Sequence, residues 1–346
     1  MNKKHGYIIS GAGCSGLSLL YYILQSSTLQ QKKILIIDQN SKTENDKTWC
    51  FWENQAGSFE NLVYSKWSQL ALYNKLKRSD YQINPFIYKM IRGIDFYEFV
   101  KKEALKFSNV EFIETEVLEI NSDEAVATVI TNKGSYTAAF CFNSILFNKE
   151  ILNTTNSLLQ HFKGIVIKTK EEVFDTSKAL FMDFRVDQKK DTKFFYVLPT
   201  SPSTALVEFT IFSKSLLKEP DYDDAIKNYI KNQLQINSYT ELHKEFGIIP
   251  MTDYIFPTHH KRIINMGTAA GWVKASSGFA FSNIQKQTKK IVSLLTKDKP
   301  PILNRKFKDV KFHFYDSILL DVLAKEKMQG AEIFTQIFEK INQKKY

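Results

Sequence analysis

The chain has 346 residues, of which 43% are hydrophobic and 24% charged, enough for about two domains with sizeable cores. Its formal charge of +10 comes from scattered lysines without a nucleic-acid-binding motif, which excludes nucleic acid as the expected partner and leaves attraction to an anionic membrane surface. No run approaches the roughly 20 apolar residues of a membrane span, and Cys14, Cys50 and Cys141 have neither disulfide nor zinc spacing. MNKKHGYIIS is unlike a cleavable signal, so a cytoplasmic protein with reduced thiols is expected.

Residues 7–16, YIISGAGCSG, set a short apolar run before G-x-G-x-x-G at Gly11, Gly13 and Gly16. LSLLYYIL then reads as a helix, and KKILIID as a second buried strand ending at Asp38. Strand, glycine turn, helix and strand, with an acid about 20 residues past the last glycine, make the dinucleotide-binding pattern. Gly11 permits the tight turn, Ala12 and Gly13 bring backbone up to a pyrophosphate, and Gly16 lets helix and strand pack closely. Asp38 is the candidate for ribose hydroxyls, which suits FAD or NAD better than a 2′-phosphate. The position of the motif at the start of the chain favours FAD by analogy.

TWCFWE, residues 48–53, places Trp49 and Trp52 three residues apart; a core strand or the wall of an apolar pocket accounts for it. WSQLALYN and YQINPFIYKM alternate as strands, and Phe96, Phe99 and Val100 form a helical stripe behind Gly93. VEFIETEV, EAVATVIT and SYTAAFCFNSIL read as short strands. HFKGIVIKT, ALFMDFRV, KFFYVLP and TALVEFTIFS predict a second, antiparallel sheet with a turn at 201–203. DYDDAIKNYIKNQL is predicted as a helix, RIINMG as a strand and GFAFSNIQKQTKKIVSLL as a helix. In the last segment Ile333, Phe334, Ile337, Phe338 and Ile341 form an amphipathic stripe among Lys325, Lys327, Lys340, Lys344 and Lys345. Core packing or contact with a membrane surface would explain it. The adjacent His259 and His260 point apart on an extended segment, so no metal site is expected.

Four stretches together resemble the bacterial β-cyclase branch of the lycopene cyclase family, FAD-dependent carotenoid enzymes: YIISGAGCSGLSLLYYIL with ILIIDQ, DKTWCFWE, FFYVLPTSPSTALVEFTIFS and GTAAGWVKASSGFAFSNIQ. The resemblance implies an α/β fold in which a Rossmann-like FAD-binding domain carries an inserted antiparallel-sheet substrate domain, as in flavoprotein hydroxylases and geranylgeranyl reductases, followed by C-terminal helices. On that plan residues 1–70, 92–155 and 245–300 build the FAD domain, 71–91 and 156–244 the substrate domain, and 301–346 the helical end. Gly267, Gly271 and Gly278 would pass close to the flavin. Where many related flavoproteins carry Gly-Asp, this chain has Gly267 and Thr268, so an Asp contact to the ribityl chain is not available there.

The activity implied is cyclisation of the linear ends of lycopene or a related acyclic carotenoid to β-rings, giving β-carotene through γ-carotene without net redox change. It needs an acid held protonated in a dry pocket and negative charge or π-faces near the cation. Glu208 matches the acid of the family's LVEET-like motif, although this chain reads LVEFT, with Phe209 in place of a second acid. By pattern alone, Glu208 equally suits the solvent face of an alternating strand. Trp49, Trp52, Phe279 and Phe281 would wall the substrate channel, with Glu53 a weaker acid candidate. Reduced FAD would be the cofactor, NAD(P)H its electron source, and the inner face of the membrane the place where the protein docks peripherally to load substrate. An FAD-dependent monooxygenase or prenyl reductase on the same scaffold, and a catalytically silent flavoprotein or membrane-surface binding module, are the alternatives.

Overall fold

The computed structural model describes residues 4–343 except 76, 149, 151–155 and 305–306. β1 (Lys4–Ser10) enters the glycine turn, α1 (Cys14–Leu24) leaves it, and β2 (Ile34–Asp38) returns parallel to β1. Ile8, Ile9, Leu35, Ile36 and Ile37 are all buried, as unbroken apolar runs require of inner parallel strands covered on both faces. β3 (Thr48–Glu53) is TWCFWE itself; β4 (Ser65–Trp67), β5 (Gln69–Tyr73), β6 (Arg78–Gln82), β7 (Ile87–Arg92) and α2 (Gly93–Ala104) follow. Then come β8 (Val110–Glu114), β9 (Val117–Ser122), β10 (Ala127–Thr131), β11 (Gly134–Asn143), β12 (Leu158–Lys168), β13 (Lys178–Asp183), β14 (Thr192–Ser201) and β15 (Thr204–Ser213). α3 (Glu219–Asn232), β16 (Thr240–Met251), β17 (His259–His260), β18 (Ile263–Asn265), α4 (Phe281–Leu295), α5 (Phe307–Ala324) and α6 (Gly330–Gln343) complete the chain.

Two large sheets result, as the sequence predicts. The first runs β17-β18-β11-β1-β2-β8, with the β9–β10 hairpin attached to β11. β18 joins β11 in parallel, Cys141 opposite Ile263, so a strand from the last third of the chain completes a sheet begun by the first. α4 then packs on α1, where Gln285 Nε2 donates to Ser18 Oγ at 2.9 Å. The second sheet runs β16-β12-β15-β14-β13-β5-β6 and is antiparallel except where β5 meets β13. A small third sheet, β3-β7-β4, stands apart from both.

The segment boundaries expected at 91/92 and 244/245 both fall inside strands. β7 pairs with TWCFWE through six residues, from Thr48 opposite Arg92 to Glu53 opposite Ile87, rather than with the expected substrate sheet. β16 continues through residue 245 and pairs with β12 along its whole length.

β15 shows why the second sheet holds together. Val207, Phe209 and Ile211 face α3, whose Tyr222, Ile226, Tyr229 and Ile230 cover them. Phe195 stacks between Tyr229 and Phe209, with centroids 3.8 and 4.8 Å away. The alternate residues Leu206 and Phe212 belong to the core on the other face, which α6 joins through Phe334, Ile333 and Phe338. The C-terminal stripe is therefore core packing for these residues, while Ile337 is exposed; Ile341, Lys344 and Lys345 lie outside the described side chains.

α5 divides along its length, with Leu320, Leu323 and Ala324 in the same core as α6 and the earlier turns arranged otherwise. Its inward side is partly polar: His313 bonds Asp253 O at 2.9 Å, Ser317 Oγ donates to Asp253 Oδ2 at 2.9 Å, and Asp316 pairs with Lys274. Val310, Phe312, Phe314, Tyr315 and Ile318 are exposed.

Candidate active site

The glycine turn fits a bound dinucleotide on steric grounds. Gly11 sits at φ +98°, and a Cβ on Gly16 would lie 1.9 Å from Gly11 O, so neither position accepts a side chain. An added Cβ on Gly13 would meet nothing within 4 Å, so its outer face is open to a ligand. α1 begins there with neither a side-chain cap nor an acid in its first turn, leaving its N-terminal amides and positive dipole end for an anion. Asp38 Oδ2 accepts from Ala12 N at 2.7 Å and Oδ1 from Asn40 N at 2.8 Å. These bonds fix the carboxylate while leaving lone pairs for ribose hydroxyls.

The late glycines come up from the other side. Gly267, at φ +55°, packs against Ser15 at the start of α1, and Gly278, at φ +71°, against the Gln160 side-chain amide. Gln160 Oε1 is buried without a hydrogen-bond partner, an arrangement that suits a donor group on a bound ligand. Gly271 instead caps a short 3-10 turn at φ +66° against Phe256 and does not line the cavity.

Gly13, Gly267 and Gly278 line a cavity of about 380 Å³ together with Trp49, Glu208, Phe279 and Phe281. Residues drawn from four separated parts of the sequence thus share one space. Gly11, Ala12, Gly16 and Asp38 lie behind the turn and shape it.

Trp52 and Glu53 are elsewhere. Residues three apart on a strand point to opposite faces, so the two tryptophans cannot share a wall. Trp49 meets Phe96 and Tyr97 edge-on at 5.4 and 5.7 Å. Trp52 packs on Tyr88 and Phe181, at 4.9 and 5.4 Å, in the other core. Glu53 pairs with Lys89 at 3.0 Å, together with Glu60. Lys89 is only 2% exposed, and a buried ammonium needs such partners. Glu53 is therefore a counter-ion in the small sheet and not a pocket acid.

Glu208 faces the cavity from the middle of β15. Across the sheet it stands opposite Tyr196 on β14 and Gly164 on β12, and Gly164 stands in turn opposite Glu245 on β16. Thr210 Oγ1 donates to Glu208 Oε1 at 2.8 Å, and Thr48 Oγ1 to Glu245 Oε2 at 2.7 Å. The two carboxyl groups are near enough that each bears on the other's ionisation. Burial, and then the neighbouring Glu245 charge, hold the Glu208 carboxyl well above the usual carboxylate range. Burial raises Glu245 too, opposed by the hydrogen bond from Thr48 and by the neighbouring Glu208 carboxyl. Burial also pushes up Tyr196, Tyr88 and Cys50, so all three stay neutral beside Glu208. The arrangement is a buried carboxyl with its pKa raised, set beside Tyr88, Tyr196, Leu198 and Leu206 in a cavity whose lining also includes Lys42 and Lys47. That is the environment of a general acid.

Sequence reasoning missed Glu245, Thr48, Gly164 and Gln160. Gly164 carried a readable signal, since an isolated glycine in a strand often marks close approach by another group. Glu245 sits in a strand that the pattern did not reveal. Among the described residues no group of His, Cys, Asp and Glu is arranged to hold a metal; His259 and His260 are exposed on β17.

The chain resembles solved flavoenzymes throughout. A geranylgeranyl bacteriochlorophyll reductase-like protein from Thermoplasma acidophilum superposes with a TM-score of 0.69 at 13% identity, covering 96% of this chain and 90% of that one. p-Nitrophenol 4-monooxygenase from Pseudomonas putida gives 0.68 at 12%, covering 97% and 92%. The halogenase PltM in complex with phloroglucinol and FAD gives 0.60 at 10%, covering 85% and 69%. The fold is thus the α/β fold of FAD-dependent oxidoreductases. In sequence, the chloroplastic lycopene beta cyclases of Solanum lycopersicum and Nicotiana tabacum are 22% and 23% identical over 294 and 295 residues, each covering 78% of this chain. The chain spans 56% of the length of each of these relatives. The lycopene cyclase protein family matches residues 7–346, and the chain belongs to that family.

Proposed function

We propose that the protein is a lycopene β-cyclase that closes the linear ends of lycopene without net oxidation or reduction. The observation that carries this reading is Glu208, a carboxyl kept protonated in the same cavity as Gly13, Gly267 and Gly278. Glu208 gives its proton to the terminal double bond of the polyene; the next double bond attacks the resulting tertiary cation, and loss of a ring proton completes the β-ring. Trp49, Phe279 and Phe281 exclude water and offer π-faces to the cation. Tyr196 and Tyr88, held neutral by burial, place no phenolate beside Glu208 to take its proton.

The glycine turn, the N-terminus of α1 and Asp38 would hold FAD, with Gln160 accepting a hydrogen bond from it. Bound in its reduced form, FAD would supply negative charge facing the cavity, with NAD(P)H or another donor keeping it reduced. Among the described residues no helix is long and apolar enough to cross a membrane. Lycopene's insolubility calls for loading from a bilayer, and the exposed Val310, Phe314 and Ile318 of α5 suit insertion at its surface.

The test is anaerobic: purified protein with reduced FAD and lycopene in liposomes, wild type against Glu208→Gln, products separated by chromatography. A ring-closed product of unchanged mass from wild type alone is expected. Failure of the wild type to cyclise while it consumes NAD(P)H stoichiometrically on polyprenyl substrates would replace this reading with the redox alternative.

A further inference from the structure

Glu208 and Glu245 occupy strands that flank β12, both opposite Gly164. Adjacent strands lie about 4.8 Å apart, so the two backbones are separated by about 9.6 Å. Two glutamate side chains can meet over that distance only if the residue between them has no side chain. Gly164 meets the condition: an added Cβ would come within 3.2 Å of Glu245 Cγ, 3.3 Å of its Oε1 and 3.0 Å of Leu206 Cδ1.

We propose that Gly164 and Glu245 make Glu208 one half of a proton-sharing carboxyl pair, in which Glu245 is the positioning residue that holds the proton on Glu208 between turnovers and helps to recover it after ring closure. The proposal rests on the cyclase reading of Glu208. Each carboxyl receives one hydroxyl hydrogen bond, from Thr210 or Thr48, and the two side chains leave the same face of the sheet on either side of Gly164. Two anions cannot be held there together at an ordinary cost, whereas one shared proton makes the contact favourable.

The surroundings decide which oxygen carries the proton. Lys47 and His243 lie on the Glu245 side and favour its anion. Tyr196, Tyr88 and Cys50 lie beside Glu208, neutral through burial, and do not stabilise its anion as a cation would. Glu208, on the cavity wall, therefore keeps the proton, and Glu245, only 6% exposed, stands behind it as the base.

The step balances. The Glu208 O–H bond breaks as a C–H bond forms at the substrate's terminal carbon, and a π pair makes the ring C–C bond. The ring C–H bond then breaks, its electrons become the new double bond, and its proton restores an O–H bond on the pair. While the cation exists, the pair holds two negative charges against it; afterwards it returns to one proton with no electron gained or lost.

The experiment is an infrared pH titration of the purified flavoprotein, following the carbonyl stretch of a protonated carboxyl that disappears in Glu208→Gln. Glu245→Gln keeps shape and hydrogen bonding but removes the like charge, so Glu208 should lose its proton at lower pH. The alkaline limb of the turnover profile should fall by the same displacement, with the protonated fraction dropping tenfold for each unit. Gly164→Ala, which wedges between the two carboxyls, should produce a shift in the same direction without removing either acid. Bound flavin and melting temperature check that both variants fold. A Glu208 titration identical in wild type and both variants overturns the pair, whatever the activity shows. Absence of cyclisation by the wild type overturns the cyclase reading instead, and the infrared result still decides whether the proton is shared.

Discussion

Replacing Glu208 by glutamine should move activity and stability in opposite directions. Removing a general acid lowers turnover by about 10²- to 10⁴-fold. The amide keeps the bond from Thr210 through its oxygen and can donate to Glu245 through its nitrogen, so packing around β15 is preserved. The stability effect follows from linkage. A carboxyl raised in the folded protein is still protonated there when the unfolded chain, with a pKa of about 4.3, has already released its proton. The native state then binds more protons, and stability falls as pH rises, by up to about 1.4 kcal/mol per pH unit for one proton, until Glu208 ionises in the folded state. Glu208→Gln removes that slope. Denaturant titrations near about pH 5 and about pH 8 should show the variant equal to wild type at the lower pH and more stable at the higher one. Equal destabilisation at both, or a variant that still forms rings, would refute the assignment of Glu208 as a buried, protonated acid.

Gly16→Ala, whose Cβ would lie 1.9 Å from Gly11 O, should force the turn open, and the purified protein should lack flavin absorbance. Trp49→Leu should lower turnover more than stability, because it opens the cavity wall. Trp52→Leu should cost about 2–4 kcal/mol in denaturation with turnover little changed, and the two patterns reversed would sink the face assignment. Glu53→Gln should leave the pH dependence of turnover unmoved, since Glu53 serves Lys89. Phe314→Glu with Ile318→Glu should reduce co-sedimentation with anionic liposomes several-fold while bound flavin stays constant; undiminished sedimentation would remove α5 as the membrane face.

The nucleotide end was legible because its signal is local: three glycines, a helix and an acid, each within one turn or strand of the next. Glu208 was legible by likeness to the family motif, not by periodicity, since alternation on β15 is compatible with a solvent face. What decides its chemistry is non-local. Glu245 acquires meaning only when β12 inserts Gly164 between two strands, a register that no single segment encodes. The opposed tryptophans were readable in principle, because a spacing of three on a strand separates faces. The two C-terminal helices show the limit from the other side. Phe334 and Phe338 of α6 pack on the core while Phe312 and Phe314 of α5 face solvent, and α5 meets that core only further along, through Leu320 and Leu323.

The parallel pairing of β18 with β11 also has a temporal consequence. The nucleotide turn is synthesised well before Gly267 and Gly278, which line the same cavity as Gly13. Long-range parallel pairing forms slowly, and here it must wait for most of the chain to be synthesised. On the proposed reading, flavin capture would be a late step in maturation: a nascent or clipped chain ending before β18 would carry the fingerprint without the rest of the cavity.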